Sequence, residues 1–154
     1  MVERPEDVAR MIIDASRYMV LATADTAGRP WSTPVYFAHE GYTSLYWVSS
    51  AEAIHSRNVA TRSDVGIAIF DSTAPISTGQ GVYLRAHAAE VGDGERDQGI
   101  EVFSRRSHAH GGAVWTAADV TGDAELRLYR AVVDEHSILA KDGRPDHRIV
   151  VRLT

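Results

Sequence analysis

"LYWVSSAEAIHSRNVATRSDVGIAIFD", residues 45–71, decides how the chain folds. An aromatic and apolar run ends in two hydroxyls, Ser49 and Ser50. The segment 51–62, "AEAIHSRNVATR", then predicts a short helix, and 64–71, "DVGIAIFD", predicts a strand. A strand end thus runs straight into a helix N-terminus, where free N–H groups and the helix dipole favour an anion. Ser49 and Ser50 offer hydroxyls, His55 an imidazole and Arg57 a guanidinium capable of bidentate contact. Together they suit a phosphate. The same residues also suit a plain helix capped by Ser50, with His55 and Arg57 on a solvated face.

Working outward, "PEDVARMIIDASR" (5–17) predicts an opening helix, with Pro5 in its first turn and Glu6 and Asp7 at the positive end of its dipole. "RYMVLATAD", "WSTPVYFAHE" and "TSLYWVSS" predict three strands joined by short turns, an antiparallel meander. Pro34 cannot donate to a ladder, so its strand belongs at an edge, a bulge or a ligand. Downstream, 81–91 predicts a long strand and 93–106 a helix with Ile100 and Phe103 facing the core. "SHAHGG" (107–112) predicts a loop, 125–141 two strands or one bent strand, and 147–153 a last strand. Short strands with few helices predict a mainly β (α+β) chain, a closed or partly closed antiparallel barrel spanning 1–154 as one domain.

The net charge of −5 argues against a broad nucleic-acid surface. No apolar run approaches the roughly 20 residues of a membrane helix. The N-terminus is acidic, unlike a signal peptide. With no cysteine, thiolate metal sites and disulfides are excluded, and a cytoplasmic location is compatible. His108 and His110 lack a third ligand, so no metal site is expected.

"STGQG" (77–81) combines glycines that admit a flat ligand with Gln80, which both donates and accepts. Trp47 and Trp31 read as core or ligand contacts. Trp115 follows a loop and is expected to pack on a partner or a ligand. No nucleophile elbow, phosphate-binding glycine loop or paired acid/base carboxylates are present, so any chemistry is expected to belong to a cofactor.

The stretches "LATADTAGRPWSTPVYF", "LYWVSSAEAIHSRNVATRSDVGIAIFD" and "GQGVYLRAHAAEV", with "LRLYRAVVDEHSILAKDGRPDHRIVVRL" near the end, resemble in content and order the pyridoxamine 5'-phosphate oxidase-like family. That resemblance implies an antiparallel split β-barrel with flanking helices that binds FMN between the subunits of a homodimer. It places the flavin ring along Thr33–Tyr36, with Thr33 and Val35 among the contacts. It places the ribityl chain and phosphate beside Trp47, Val48, Ser49 and Ser50. Where relatives often carry a phosphate-binding lysine, this chain has His55, with Arg57 nearby, and Gln80 lies close to a flavin-contacting glutamine; Trp115 joins these candidates from its own place after a loop. The implied function is an FMN-dependent oxidoreductase acting on a small-molecule electron donor or acceptor, with no catalytic side chain of its own. The alternatives are a reductase using the deazaflavin coenzyme and a non-catalytic flavin-binding or storage module.

Overall fold

The computed structural model describes residues 3–154; Met1 and Val2, the start of the acidic N-terminal stretch, lie outside the described residues. Among the described residues the order is α1 (Pro5–Ala15), β1 (Tyr18–Ala24), β2 (Pro30–Tyr36), β3 (Ala38–Glu40), β4 (Ser44–Ser50), α2 (Ile54–Thr61), β5 (Asp64–Phe70), β6 (Gly81–Glu90) and α3 (Arg96–Ala109). A 3₁₀ turn (Ala117–Val120), β7 (Leu126–Leu139) and β8 (Arg148–Val151) complete it.

All strand pairs are antiparallel, in the order β2-β1-β5-β6-β7-β4-β3, with β8 added to β7. β2 and β3 sit at opposite ends of that order, yet only Phe37 separates them in the chain. A flat sheet cannot satisfy both conditions. The sheet therefore curls until its two ends meet, which makes the split barrel. The expected three-strand meander is corrected here. The run 31–40 is two strands: β2 pairs with β1 and β3 pairs with β4. Pro34 lies opposite Val20 in β2, whose other edge is open, which meets its missing donor.

β7 settles the ambiguity over 125–141 as one strand. It pairs with β6 along its length, with β4 through its first half and with β8 through its last residues. A register shift opposite Arg85/Ala86 bends it.

Alternation along the strands builds two cores. The barrel interior holds Met19, Leu21, Trp47, Ile67, Leu84 and Ala131, closed by Ala9 and Ile13 of α1 and Val59 of α2. The second core lies outside the barrel, where Tyr46 and Leu128 meet Ile100 and Phe103 of α3 and Val120 of the 3₁₀ turn. Gly99 permits this approach: a Cβ there would stand 2.8 Å from Tyr46 Cε1 and 3.0 Å from Leu128 Cδ2. α3 begins and ends three residues later than expected, so "SHA" is helical and the loop starts at His110. α2 is shorter than expected, with a turn before it.

Candidate functional site

The split follows from the ladder. β3 stops at Ala38, opposite Tyr46, so Trp47–Ser50 of β4 have no strand partner on that side. β2 is likewise open on the edge away from β1, and the two strands approach each other. Thr33 and Val35 lie on one lip, Trp47, Val48, Ser49 and Ser50 on the other. Trp47 and Val35 send their side chains into the barrel core, 0% and 8% exposed, so only their backbone is available to a ligand. Val48 packs against the second core.

α2 stands at the end of the β4 lip. Its N-cap is Ala53, which has no capping side chain. Ser50 is therefore not the helix cap: its Oγ accepts the Glu52 N–H (3.2 Å) in the turn before the helix. The first bonded amide of this turn is Arg57 N–H, donating to Ala53 O. The amides of Ile54, His55 and Ser56 precede it and have no intrahelical acceptor. Beside them His55 Nε2 lies 2.8 Å from Ser49 Oγ. Burial pushes His55 below its ordinary value, which favours the neutral ring. Ser56 Oγ is buried beside the Tyr129 phenol, its nearest polar neighbour, with no hydrogen bond of good geometry. Trp47 Nε1, stacked on Tyr129 at 5.8 Å, is buried without a partner as well. Asn58 anchors the helix from below by donating to Thr23 Oγ1 (3.0 Å).

The structure thus brings Ser49 and His55 together and leaves Arg57 apart. Arg57 is exposed and its Nη2 donates to Glu52 Oε2 (2.9 Å). Two positions apart on a helix, His55 and Arg57 face different sides. Gln80 is engaged in the fold: its Nε2 donates to Leu139 O (2.9 Å), and its Oε1 accepts the N–H groups of Leu139 and Gly81. Trp115 is half-buried. It packs edge-to-face on Phe103 at 5.7 Å, within the second core.

Sequence reasoning missed two arrangements near the split. Arg127, opposite Ser49 in the ladder, donates to the carbonyls of Gly122, Ala124 and Leu126. Tyr36 Oη lies 2.6 Å from His110 Nδ1. No sequence signal links residues so far apart. A concavity of about 590 Å³ lies elsewhere, on the outer sheet face, where Ala22, Gly66 and Ala68 form a shallow floor bordered by Tyr83 and Arg148. Among the described residues, no cluster of three acidic or histidine side chains is arranged to hold a metal, and no helix is long and apolar enough to cross a membrane.

A sequence model of the pyridoxamine 5'-phosphate oxidase family matches residues 5–148. No curated protein matches significantly by sequence. A heme binding protein from Mycobacterium smegmatis superposes with a TM-score of 0.75 at 20% identity. The match covers 97% of this chain and 59% of that one, so this chain spans about three-fifths of its length. The heme storage protein HutZ from Vibrio cholerae gives 0.69 at 19% identity, covering 86% and 92%. An F420 reductase gives 0.63 at 16%, covering 88% and 98%. At these identities the likeness is one of fold.

Proposed function

From the membership of this chain in the pyridoxamine 5'-phosphate oxidase family, a split-barrel family that binds flavin, we propose that it is an FMN-dependent oxidoreductase working as a homodimer. The observation that carries this reading is the uncapped start of α2 beside Ser49 and His55, at the end of the open β4 lip. The residues present fit a phosphate: the free amides at the start of α2 stand beside the Ser49 hydroxyl and the His55 imidazole. The backbone edges of β2 and β4 would hold the flat and linear parts of the cofactor. When bound, FMN supplies the hydride or electron chemistry. The protein's own part is to orient the cofactor, to exclude water with the barrel and a second subunit, and to bind the phosphate.

His55 gives that site a particular character. Where relatives often carry lysine, a histidine held neutral by burial supplies a hydrogen bond, and it gains charge only when a bound anion favours its protonated form. The outer sheet face, with exposed Tyr83 and Val150 around a floor of small residues, offers apolar surface for a second copy.

The test is direct. The purified dimer takes up about one FMN per subunit, and the bound flavin is reduced by a nicotinamide donor and reoxidised by an acceptor. A monomer with no affinity for FMN in calorimetry overturns the proposal. A dimer that binds FMN but exchanges electrons with no donor is a storage module. The likeness to the F420 reductase supports a second reading, a reductase using the deazaflavin coenzyme, which predicts uptake of that coenzyme and not of FMN.

A further inference from the structure

A second cavity, about 540 Å³, opens between the C-terminal half of α1, the start of β1 and the end of β5, outside the split. Its volume is in the range of small-molecule sites. Its walls are apolar and unusually open to solvent: Met11 is 54% exposed, Tyr18 61% and Phe70 49%.

The polar groups around it are not evenly distributed. Arg17 lines the cavity and is exposed. Among the described residues no carboxylate pairs with it, although most arginines of this chain have one. Its charge reaches the Tyr36–His110 pair, and Tyr18 meets the Tyr36 ring edge-on at 5.9 Å. The second cation here, Arg106, is largely engaged, because its Nη2 donates to the carbonyls of Asp14 and Ser16 at the end of α1. At the opposite rim stands Asp71, whose carboxylate accepts the Thr73 N–H and hydroxyl. Asp14 is taken up by His39 and Tyr42. Among the described residues, the charged side chain lining the cavity with neither an ion pair nor a hydrogen bond is thus positive, Arg17.

We propose that this cavity binds a small amphipathic organic anion, its apolar body against Met11, Tyr18 and Phe70 and its anionic group at Arg17. The chemistry is shared by flat aromatic acids and by short fatty acids. The site does not depend on FMN being the cofactor.

The probe is 8-anilinonaphthalene-1-sulfonate, followed by fluorescence on the FMN-loaded protein and on the protein without flavin, with N-phenyl-1-naphthylamine as the neutral counterpart. The sulfonate is expected to bind at one site per chain in both forms. Arg17→Gln should weaken it about tenfold and leave the neutral dye unchanged. Met11→Glu, at an exposed position that keeps the fold by circular dichroism, should weaken both dyes. Displacement by 1-naphthoate identifies an aromatic acid as the occupant, and displacement by decanoate a fatty acid; displacement by neither contradicts the proposal. Unchanged sulfonate affinity in Arg17→Gln overturns it. So does one-for-one displacement by FMN, which would place the dye in the flavin site. Loss of the dimer in Met11→Glu with dye binding intact would assign the cleft to a second copy, and it too overturns the proposal.

Discussion

α2 and α3 both begin without a capping side chain, but their first turns meet different surroundings. The first turn of α3 carries exposed Asp97 and Gln98. Behind it the helix is held by apolar contact, with Ile100 and Phe103 against Tyr46 and Leu128. α2 is held largely by polar contact. Its buried residues are Ser56, Asn58 and Val59, and its first turn carries His55 against the Ser49 hydroxyl. The lesson is that a bare helix start is informative where polar side chains of the fold gather beside it. By that criterion α3 reads as scaffold and α2 is the element we propose for binding.

Four substitutions and a pH series can break or sharpen this contrast. Phe103→Ala should cost the most, about 3–5 kcal/mol in urea unfolding, because the buried ring meets Tyr36 and Trp115 edge-on and its loss leaves a cavity. Gly99→Ala should cost about 1–3 kcal/mol through overpacking against Tyr46 and Leu128. Neither should alter the ratio of FMN to riboflavin affinity. Asn58→Ala leaves the Thr23 hydroxyl unpaired and should cost about 1–3 kcal/mol. Unlike the first two, it should also weaken FMN, because α2 loses its anchor.

The pH series tests burial itself. His55, His110 and His136 are all held below the ordinary histidine value, chiefly by desolvation. In the unfolded chain each takes up a proton near pH ~6.5, while the folded form resists it. The unfolded state then binds more protons, so stability should be full above that pH and fall as the pH drops below it. A stability that rises on acidification from pH 7 to 5 contradicts the assignment. The smallest effect belongs to Arg57→Ala. Its exposed pair with Glu52 should contribute nothing measurable to stability, and FMN affinity should change less than about threefold. A tenfold loss of FMN affinity would show that the guanidinium leaves Glu52 for the ligand.

The contrast also marks what could be read from the sequence. The strands were legible because apolar residues alternate in them, and Pro34 announced an edge. The break at Phe37 was not, because "WSTPVYFAHE" is equally extended on both sides; only pairing with β1 or with β4 tells its halves apart. At the site, the order hydroxyl, helix start, imidazole was legible and brought Ser49 to His55. The separation of Arg57 from His55 was implicit in helical spacing but depends on Glu52 being free to receive it. Gln80 carried the right functional groups for a flat ligand, yet the end of β7 offers Leu139 as a backbone partner, a contact across 59 positions that no local pattern reveals.

The claim that the start of α2 holds a phosphate is tested most directly by calorimetric titration of FMN and riboflavin, which differ only in that group, into the wild-type protein and His55→Ala. The account predicts that the wild type prefers FMN by about ten- to a hundredfold, from charge-assisted contacts worth about 1.5–3 kcal/mol. It also predicts that the preference narrows in His55→Ala while riboflavin affinity holds. Equal affinity of the wild type for the two ligands would contradict it.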